Sequence, residues 1–162
     1  MDNEDLMVRS QLIPITGLRL VLPNTAIAEV VSYRKPEPLE IDRDWLLGGL
    51  TWRGYRIPIV SMDQLINGQD SQANKHCRII VCNGLSGEEQ LPFYGFVAQG
   101  IPRLMSLDNN NTMDSPEQGE PTPYILRRVL IDGHQATIPN QVALEKELVS
   151  LGAITQAEEL VE

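Results

Sequence analysis

Two cysteines and two histidines are the residue types that could support metal binding or nucleophilic catalysis. They are His76, Cys77, Cys82 and His134. A structural zinc site takes about four ligands at a recognisable spacing, and the sequence has no CxxC, HxxxH or HExxH arrangement. A Cys–His nucleophile pair is the other option, although a cysteine within an apolar strand, as at Cys82, is more often a small core residue. We therefore expect no metal site. A small mostly-β enzyme or ligand-binding protein that uses these four residues stays open as the alternative function.

The acidic side chains do not form a recognisable catalytic pair. They concentrate in segments typical of loops, at Asp42, Asp44, Glu88, Glu89, Asp114, Glu117 and Glu120. Charge of this kind is ordinarily solvated. The pair Gly48-Gly49 lacks the strand–glycine-loop–helix setting that holds a phosphate. The sequence therefore predicts no catalytic carboxylates, no nucleotide site and no cofactor.

Two charged residues interrupt apolar stretches instead. Glu29 lies within AIAEVV, and Arg53 lies within LTWRGYRIP. A charge so placed either points to solvent from one face of a strand or is paired with a partner. The residues alone leave both interpretations open.

The elements that must position these residues are short apolar runs separated by turns. A hairpin is predicted around Thr16-Gly17 and another around Arg53-Gly54, and Asp132-Gly133 is the strongest hairpin signal in the chain. Further strand candidates are RIIVC (78–82), PFYGFVA (92–98) and IPRLMSL (101–107), whereas TAIAEVV (25–31) fits a strand or a short helix. This pattern predicts a mostly-β fold built as two small barrels or sheets.

Helix is expected mainly near the C-terminus. Asn140 is a plausible N-cap and Gly152 a plausible stop, with Val142, Leu144, Leu148 and Leu151 spaced along one face. A single helical turn is expected in SMDQLI (61–66), capped by Ser61 and ending at Asn67-Gly68. Thr155 and Glu158 have capping-box spacing before a last short turn.

Two other local expectations concern irregular backbone. Pro58 cannot donate a hydrogen bond to a sheet, so its strand is predicted to lie at an edge or a bulge. Residues 108–123 show no apolar periodicity and are predicted to form a mobile loop.

Composition and charge narrow the class of partner. The chain has 162 residues and a formal net charge of −9, which disfavours nucleic acid and anionic membrane surfaces because both require a basic footprint. No apolar run approaches the ~20 residues that cross a bilayer, and the start MDNEDLMVR is acidic where a secretory signal is basic. We expect a cytoplasmic protein with no direct membrane insertion.

The stretch GGLTWRGYRIPIVSM (48–62) resembles the signature of CheW-like domains. In that signature a glycine leads into an apolar strand, an Asn-Leu-Arg-Gly turn and an Ile/Val-Pro-Val-Ile-Asp-Leu run. Gly48 matches the glycine and Arg53-Gly54 the turn, while Thr51-Trp52 replaces Asn-Leu. QLIPITGLRLVLPNTAIAEVV, FYGFVAQGIPRLMSL and VLIDGHQATIPNQVALEKEL are similar to other segments of the family. The chain is therefore identified as a divergent member over roughly residues 11–151.

The resemblance implies two small five-stranded SH3-like β-barrel subdomains with a C-terminal helix. We expect one CheW-like domain at residues 8–152, with its second half beginning near residue 77, and terminal tails at 1–7 and 153–162.

The resemblance also implies a non-enzymatic adaptor that couples the cytoplasmic tip of methyl-accepting chemoreceptors to the regulatory domain of a CheA-type histidine kinase, with surface or pilus-based motility among the outputs. The resemblance further implies a salt bridge between Glu29 and Arg53 near a receptor-binding groove. The expected protein-binding residues are Glu29, Val30, Arg53, Gly54 and Ile57. Trp52 is either an additional core residue or a partner-facing anchor of the kind that dominates interfaces, and we favour the core.

Overall fold

The computed structural model describes residues 7–158. Within that range the chain forms twelve strands and one α-helix, and the secondary structure is mostly β, as predicted. In chain order the elements are β1 (Val8–Ile15), β2 (Leu18–Pro23), β3 (Ile27–Ser32), β4 (Leu46–Trp52), β5 (Tyr55–Val60), β6 (Arg78–Asn83), β7 (Phe93–Ala98), β8 (Arg103–Leu107), β9 (Thr112–Asp114), β10 (Ile125–Ile131), β11 (His134–Pro139), α1 (Gln141–Leu151) and β12 (Gln156–Ala157).

The strands form two curled sheets, each made of five longer strands and one very short one. The first sheet has the order β8-β1-β2-β11-β10-β9, and the second has the order β12-β5-β7-β6-β3, with β4 paired to β5. The strands before and after residue 77 do not form separate sheets, because each sheet contains strands from both parts of the chain. Strands β6 and β7 complete the sheet of β3–β5, while the N-terminal hairpin β1–β2 joins β8 and β11. This exchange of strands between the two sheets results from pairing between strands that are far apart in sequence. No local sequence pattern specifies such pairing.

A shared core fills the space between the two sheets. One cluster of buried residues joins the first hairpin, the second sheet and α1, and its fully buried members include Ile13, Leu20, Ile80, Phe96 and Leu148. Smaller clusters lie in the second sheet, around Ile59 and Ile79, and in the first sheet, around Val21 and Val129. Burial of this apolar surface is the main force that holds the subdomains together.

A buried carboxylate links the turn of the first hairpin to the segment that follows β5. Asp63 is fully buried, and its Oδ2 accepts the Thr16 N–H at 2.5 Å while Oδ1 accepts the Ser71 hydroxyl at 2.8 Å. Asn67 Nδ2 donates to the Thr16 carbonyl at 2.8 Å. These bonds satisfy polar groups that burial would otherwise leave unpaired, so they fix the two subdomains relative to each other.

Several local predictions agree with the structure. Asn140 accepts the Ala143 N–H at 3.1 Å, and Gly152 ends α1 in the left-handed conformation at φ 80°. The expected turn after β5 is a short π-helical segment (Asp63–Asn67) in which Ser61 Oγ accepts the Gln64 N–H, and Gly68 ends it at φ 66°. Asp132 and Gly133 both have positive φ, as a tight two-residue hairpin requires.

Other local predictions were wrong or incomplete. Residues 24–26 form a 3₁₀ turn and the strand β3 follows, which settles the helix–strand ambiguity of TAIAEVV. Residues 108–123 are not an unstructured loop, because they contain β9, which pairs with β10. Val142 is 40% exposed rather than on the buried face of α1.

Two corrections concern strand edges. The edge option for Pro58 is excluded, since β5 has neighbours on both sides, although Pro58 itself has a ladder partner on only one side. It pairs with Gly49 on one side, and on the other it lies between the residues that pair with β12 and those that pair with β7. Residues 153–158 are not a tail or a helical turn either: Ala153 is buried in the shared core, and β12 pairs with the start of β5.

Candidate protein-binding surface

The turn between β4 and β5 presents Arg53 at one end of the second sheet. Trp52 pairs with Tyr55 across the hairpin, and Arg53 and Gly54 take φ values of 46° and 81°. Positive φ at both central residues matches the right-handed twist of the strands. Glycine adopts this conformation without strain, whereas arginine does so at some cost. The strand–turn–strand prediction for this stretch is confirmed.

Glu29 reaches the same turn from β3. In the described residues β3 pairs with no strand but β6 and β4 with no strand but β5, so both lie at edges of the sheet, as does the two-residue β12. The β3–β6 register shifts between Ile27 and Glu29, and an irregularity of this kind re-aims the side chains beside it. The Glu29 side chain therefore links β3 to the end of β4, two strands that do not pair through their backbones.

The ion pair that the resemblance implied is present. Arg53 Nη2 and Nε each lie 3.1 Å from Glu29 Oε1. The Arg53 and Glu29 side chains are 69% and 36% exposed. A pair this exposed contributes only about 0–1 kcal/mol to folding. Its consequence is therefore geometric: it holds two charged groups in a defined arrangement at the surface.

Trp52 is part of both the core and this surface. Its ring is partly buried, packs edge-on against Phe93 with centroids 4.9 Å apart, and lies against the cluster of buried residues in the second sheet. Its indole N–H donates to Glu29 Oε1 at 3.0 Å, and the Arg53 guanidinium lies over the ring, 5.4 Å from its centroid. Tyr55, which is 37% exposed, extends the aromatic group, with its ring centroid 5.4 Å from that of Phe93.

The C-terminal strand supports the turn from the other side. The Glu158 N–H donates to the Gly54 carbonyl at 2.9 Å, and the Thr51 hydroxyl donates to Glu158 Oε1 at 2.6 Å. Arg34 Nη2 donates to the Thr51 carbonyl at 2.5 Å. Sequence reasoning missed Glu158, since nothing local connects it to a turn about a hundred residues earlier.

Three of the five expected binding residues lie together at this surface: Glu29, Arg53 and Gly54. Val30 is half-buried and packs against the shared core. Ile57 is 1% exposed and belongs to the core of the second sheet, so a partner cannot contact it directly. The surface instead includes Trp52 and Tyr55. The only signal for Trp52 in the sequence was its position beside the turn.

The residues of the alternative function are not assembled into a reactive site. Cys77 and Cys82 are free and buried, and they belong to different core clusters. His76 and His134 are exposed. Burial, and secondarily the charge of Glu145, raises the pKa of the Cys82 thiol far above its usual range, so this thiol is protonated and unreactive at neutral pH. Within residues 7–158 no three His, Cys, Asp or Glu side chains are grouped to hold a metal ion.

Both thiols are expected to be protected from modification in the folded protein. We expect maleimide labelling at neutral pH to be at least about a hundredfold slower than in urea, because the thiols become accessible only through opening of the core. Labelling is followed by mass spectrometry, with the unfolded protein as the reference. If either thiol of the folded protein reacts at the rate of an exposed cysteine, the nucleophile alternative gains support.

Two curled sheets around a shared core, with a surface of paired side chains at the turn between β4 and β5, fit the class of scaffold and adaptor proteins. The chain belongs to the CheW-like domain family, whose model matches residues 10–147. It is therefore a chemotaxis adaptor and not an enzyme.

Solved structures show the same fold. The crystal structure of the scaffolding protein TtCheW from Thermoanaerobacter tengcongensis matches with a TM-score of 0.69 and 15% sequence identity, covering 86% of this chain and 88% of that chain. The expected fold of two SH3-like subdomains is thereby confirmed. A search of the curated proteins returned no significant match. In the part of the chain that the structure describes, no helix is long and apolar enough to span a bilayer.

Proposed function

We propose that this protein couples the cytoplasmic tip of a chemoreceptor to the regulatory domain of a CheA-type histidine kinase, and that the surface around the Arg53-Gly54 turn binds one of them. The observation that carries the proposal is the Glu29–Arg53 pair, with N···O distances of 3.1 Å, at the end of the second sheet. Family membership supports the choice of partners.

The physical character of the surface suits recognition of a protein. The Arg53 guanidinium is exposed, whereas Trp52 and Tyr55 offer rigid aromatic area beside it. Arginine, tryptophan and tyrosine are the residues that most often dominate interface energies. Because the core and β12 hold the turn, little conformational entropy is lost when a partner docks.

Replacing Arg53 with alanine is expected to weaken binding of at least one partner by about tenfold, which corresponds to about 1.4 kcal/mol. The partner loses a charged contact, and Glu29 loses the group that neutralises it. The measurement is calorimetric titration of the purified protein with the kinase regulatory domain and, separately, with the receptor tip.

Arg127→Ala is the matched control. Arg127 forms another exposed ion pair, with Asp114 at 2.9 Å, in the other sheet. We expect Arg127→Ala to leave both affinities unchanged and Arg53→Ala to leave the circular dichroism spectrum unchanged. Unaltered binding of both partners by a folded Arg53→Ala variant would refute the assignment of this surface, and failure of the wild-type protein to bind either partner would refute the proposed function.

A further inference from the structure

Two hydrogen bonds and an ion-pair contact to Glu29 converge on a single oxygen atom. Arg53 Nε, Arg53 Nη2 and Trp52 Nε1 all lie 3.0–3.1 Å from Oε1. Among residues 7–158, no side chain or backbone group makes a hydrogen bond or ion pair to Oε2. A carboxylate can accept about four hydrogen bonds over its two oxygens. One face of an otherwise anchored carboxylate therefore remains available at the surface.

Trp52 is the stiffer of the two groups that hold this carboxylate. Its ring is fixed by edge-on packing against Phe93 and by contact with the core of the second sheet. The Arg53 side chain is 69% exposed, so fewer packing contacts restrict it than restrict the Trp52 ring. The direction of the indole N–H is thus set by the core, and that direction selects which oxygen of Glu29 points inward.

We propose that Trp52 is a positioning residue, which anchors Oε1 of Glu29 so that Oε2 faces outward as the acceptor for a lysine or arginine side chain of the protein that docks at this surface. This inference rests on the proposed function. The net charge of −9 favours a partner with a cationic contact, because complementary charge speeds encounter and aligns the two surfaces.

The positioning step is tested on the free protein by nuclear magnetic resonance. The Trp52 indole N–H signal is assigned by comparison with a Trp45→Phe variant, which leaves one tryptophan. Removing the acceptor with Glu29→Ala is expected to move this signal upfield, whereas the control Asp114→Ala, which breaks the distant Arg127 pair, is expected to leave it in place. An indole signal that does not respond to Glu29→Ala overturns the proposal.

The binding step is tested with Trp52→Phe, which keeps an aromatic ring against Phe93 but removes the N–H donor. We expect about a three- to tenfold loss of affinity for the partner that docks here, since a hydrogen bond to a charged group is worth somewhat more than a neutral one. In a Glu29→Gln background the same change is expected to cost less than about twofold, because the carboxylate it positions is already gone.

Comparing the effect of Trp52→Phe in the wild-type protein and in the Glu29→Gln variant separates positioning of Glu29 from direct contact with the partner. An equal loss of affinity in both proteins would mean that Trp52 contacts the partner itself, and this result overturns the proposal. Full affinity in Glu29→Gln overturns the acceptor role of Oε2. If the indole signal responds as expected but the wild-type protein binds neither the receptor tip nor the kinase domain, then the proposed function and the acceptor role both fail while the anchoring of Glu29 by Trp52 stands.

Discussion

Replacing Glu145 with alanine is expected to lower the free energy of unfolding by about 3–5 kcal/mol, a large share of the roughly 5–15 kcal/mol that stabilises a typical domain. Glu145 lies on α1 and is fully buried. Its Oε1 accepts the N–H groups of Leu85 and Ser86, each at 2.7 Å, and its Oε2 accepts the Tyr94 hydroxyl at 2.8 Å. Alanine would leave these donors without a partner and would open a void.

The network also explains why a carboxylate is tolerated in the core. Gln141 Nε2 donates to the Tyr94 oxygen at 2.9 Å, so that the hydroxyl both accepts and donates. Burial, with smaller electrostatic effects of Cys82 and Glu145, raises the pKa of Tyr94 well above its ordinary value. The hydroxyl therefore remains a donor to Glu145 at neutral and moderately alkaline pH. The bonds join α1, β7 and the loop after β6.

The expected loss is measured by urea denaturation followed by circular dichroism. Glu145→Gln is the graded control, because its amide oxygen still accepts the two backbone N–H groups, and we expect it to cost less than the alanine change. Lys146→Ala, at an exposed position of the same helix, is expected to change stability by less than about 0.5 kcal/mol. A loss below about 1 kcal/mol for Glu145→Ala would show that water satisfies these donors and that the network is not structural.

Replacing Gly48 with alanine is expected to destabilise the protein by about 2–6 kcal/mol, as the sum of backbone strain and overpacking that each cost about 1–3 kcal/mol. Gly48 has φ 144°, a conformation that side chains disfavour, and a Cβ there would overlap the carbonyl group of Glu37. This close approach lets Glu37 and Gly49 exchange two backbone hydrogen bonds, at 3.0 and 2.8 Å. The change would displace the segment that covers β4.

Gly54→Ala is the control that separates strain from overlap. Gly54 also has a positive φ, of 81°, but no atom lies within 4 Å of a Cβ built there. We expect it to cost only about 1 kcal/mol, from backbone conformation alone. Thermal and urea unfolding of both variants give the comparison. Equal losses at the two positions would mean that the contact with Glu37 relaxes without cost.

Several local features were predictable because neighbouring residues determine them. The Asp132-Gly133 turn, the Arg53-Gly54 turn and the caps of α1 depend on φ preferences and on hydrogen bonds within a few residues. The pairing of Glu29 with Arg53 was expected only through the family resemblance. The residues themselves left each charge either solvated or paired, because periodicity indicates which face a side chain occupies and not what lies opposite.

The tertiary structure decided which distant segments meet. The exchange of strands between the two sheets, the burial of Ile57 and the support of the turn by Glu158 all depend on contacts between segments far apart in sequence. The free energy of such contacts is shared among many residues, so no short motif encodes them. The sequence by itself determined the class of fold, the hairpin turns and the helix ends. Only the folded chain decided that Trp52, Arg53 and Glu29 form one surface, because the geometry of that surface depends on how β3 and β4 approach each other around the core.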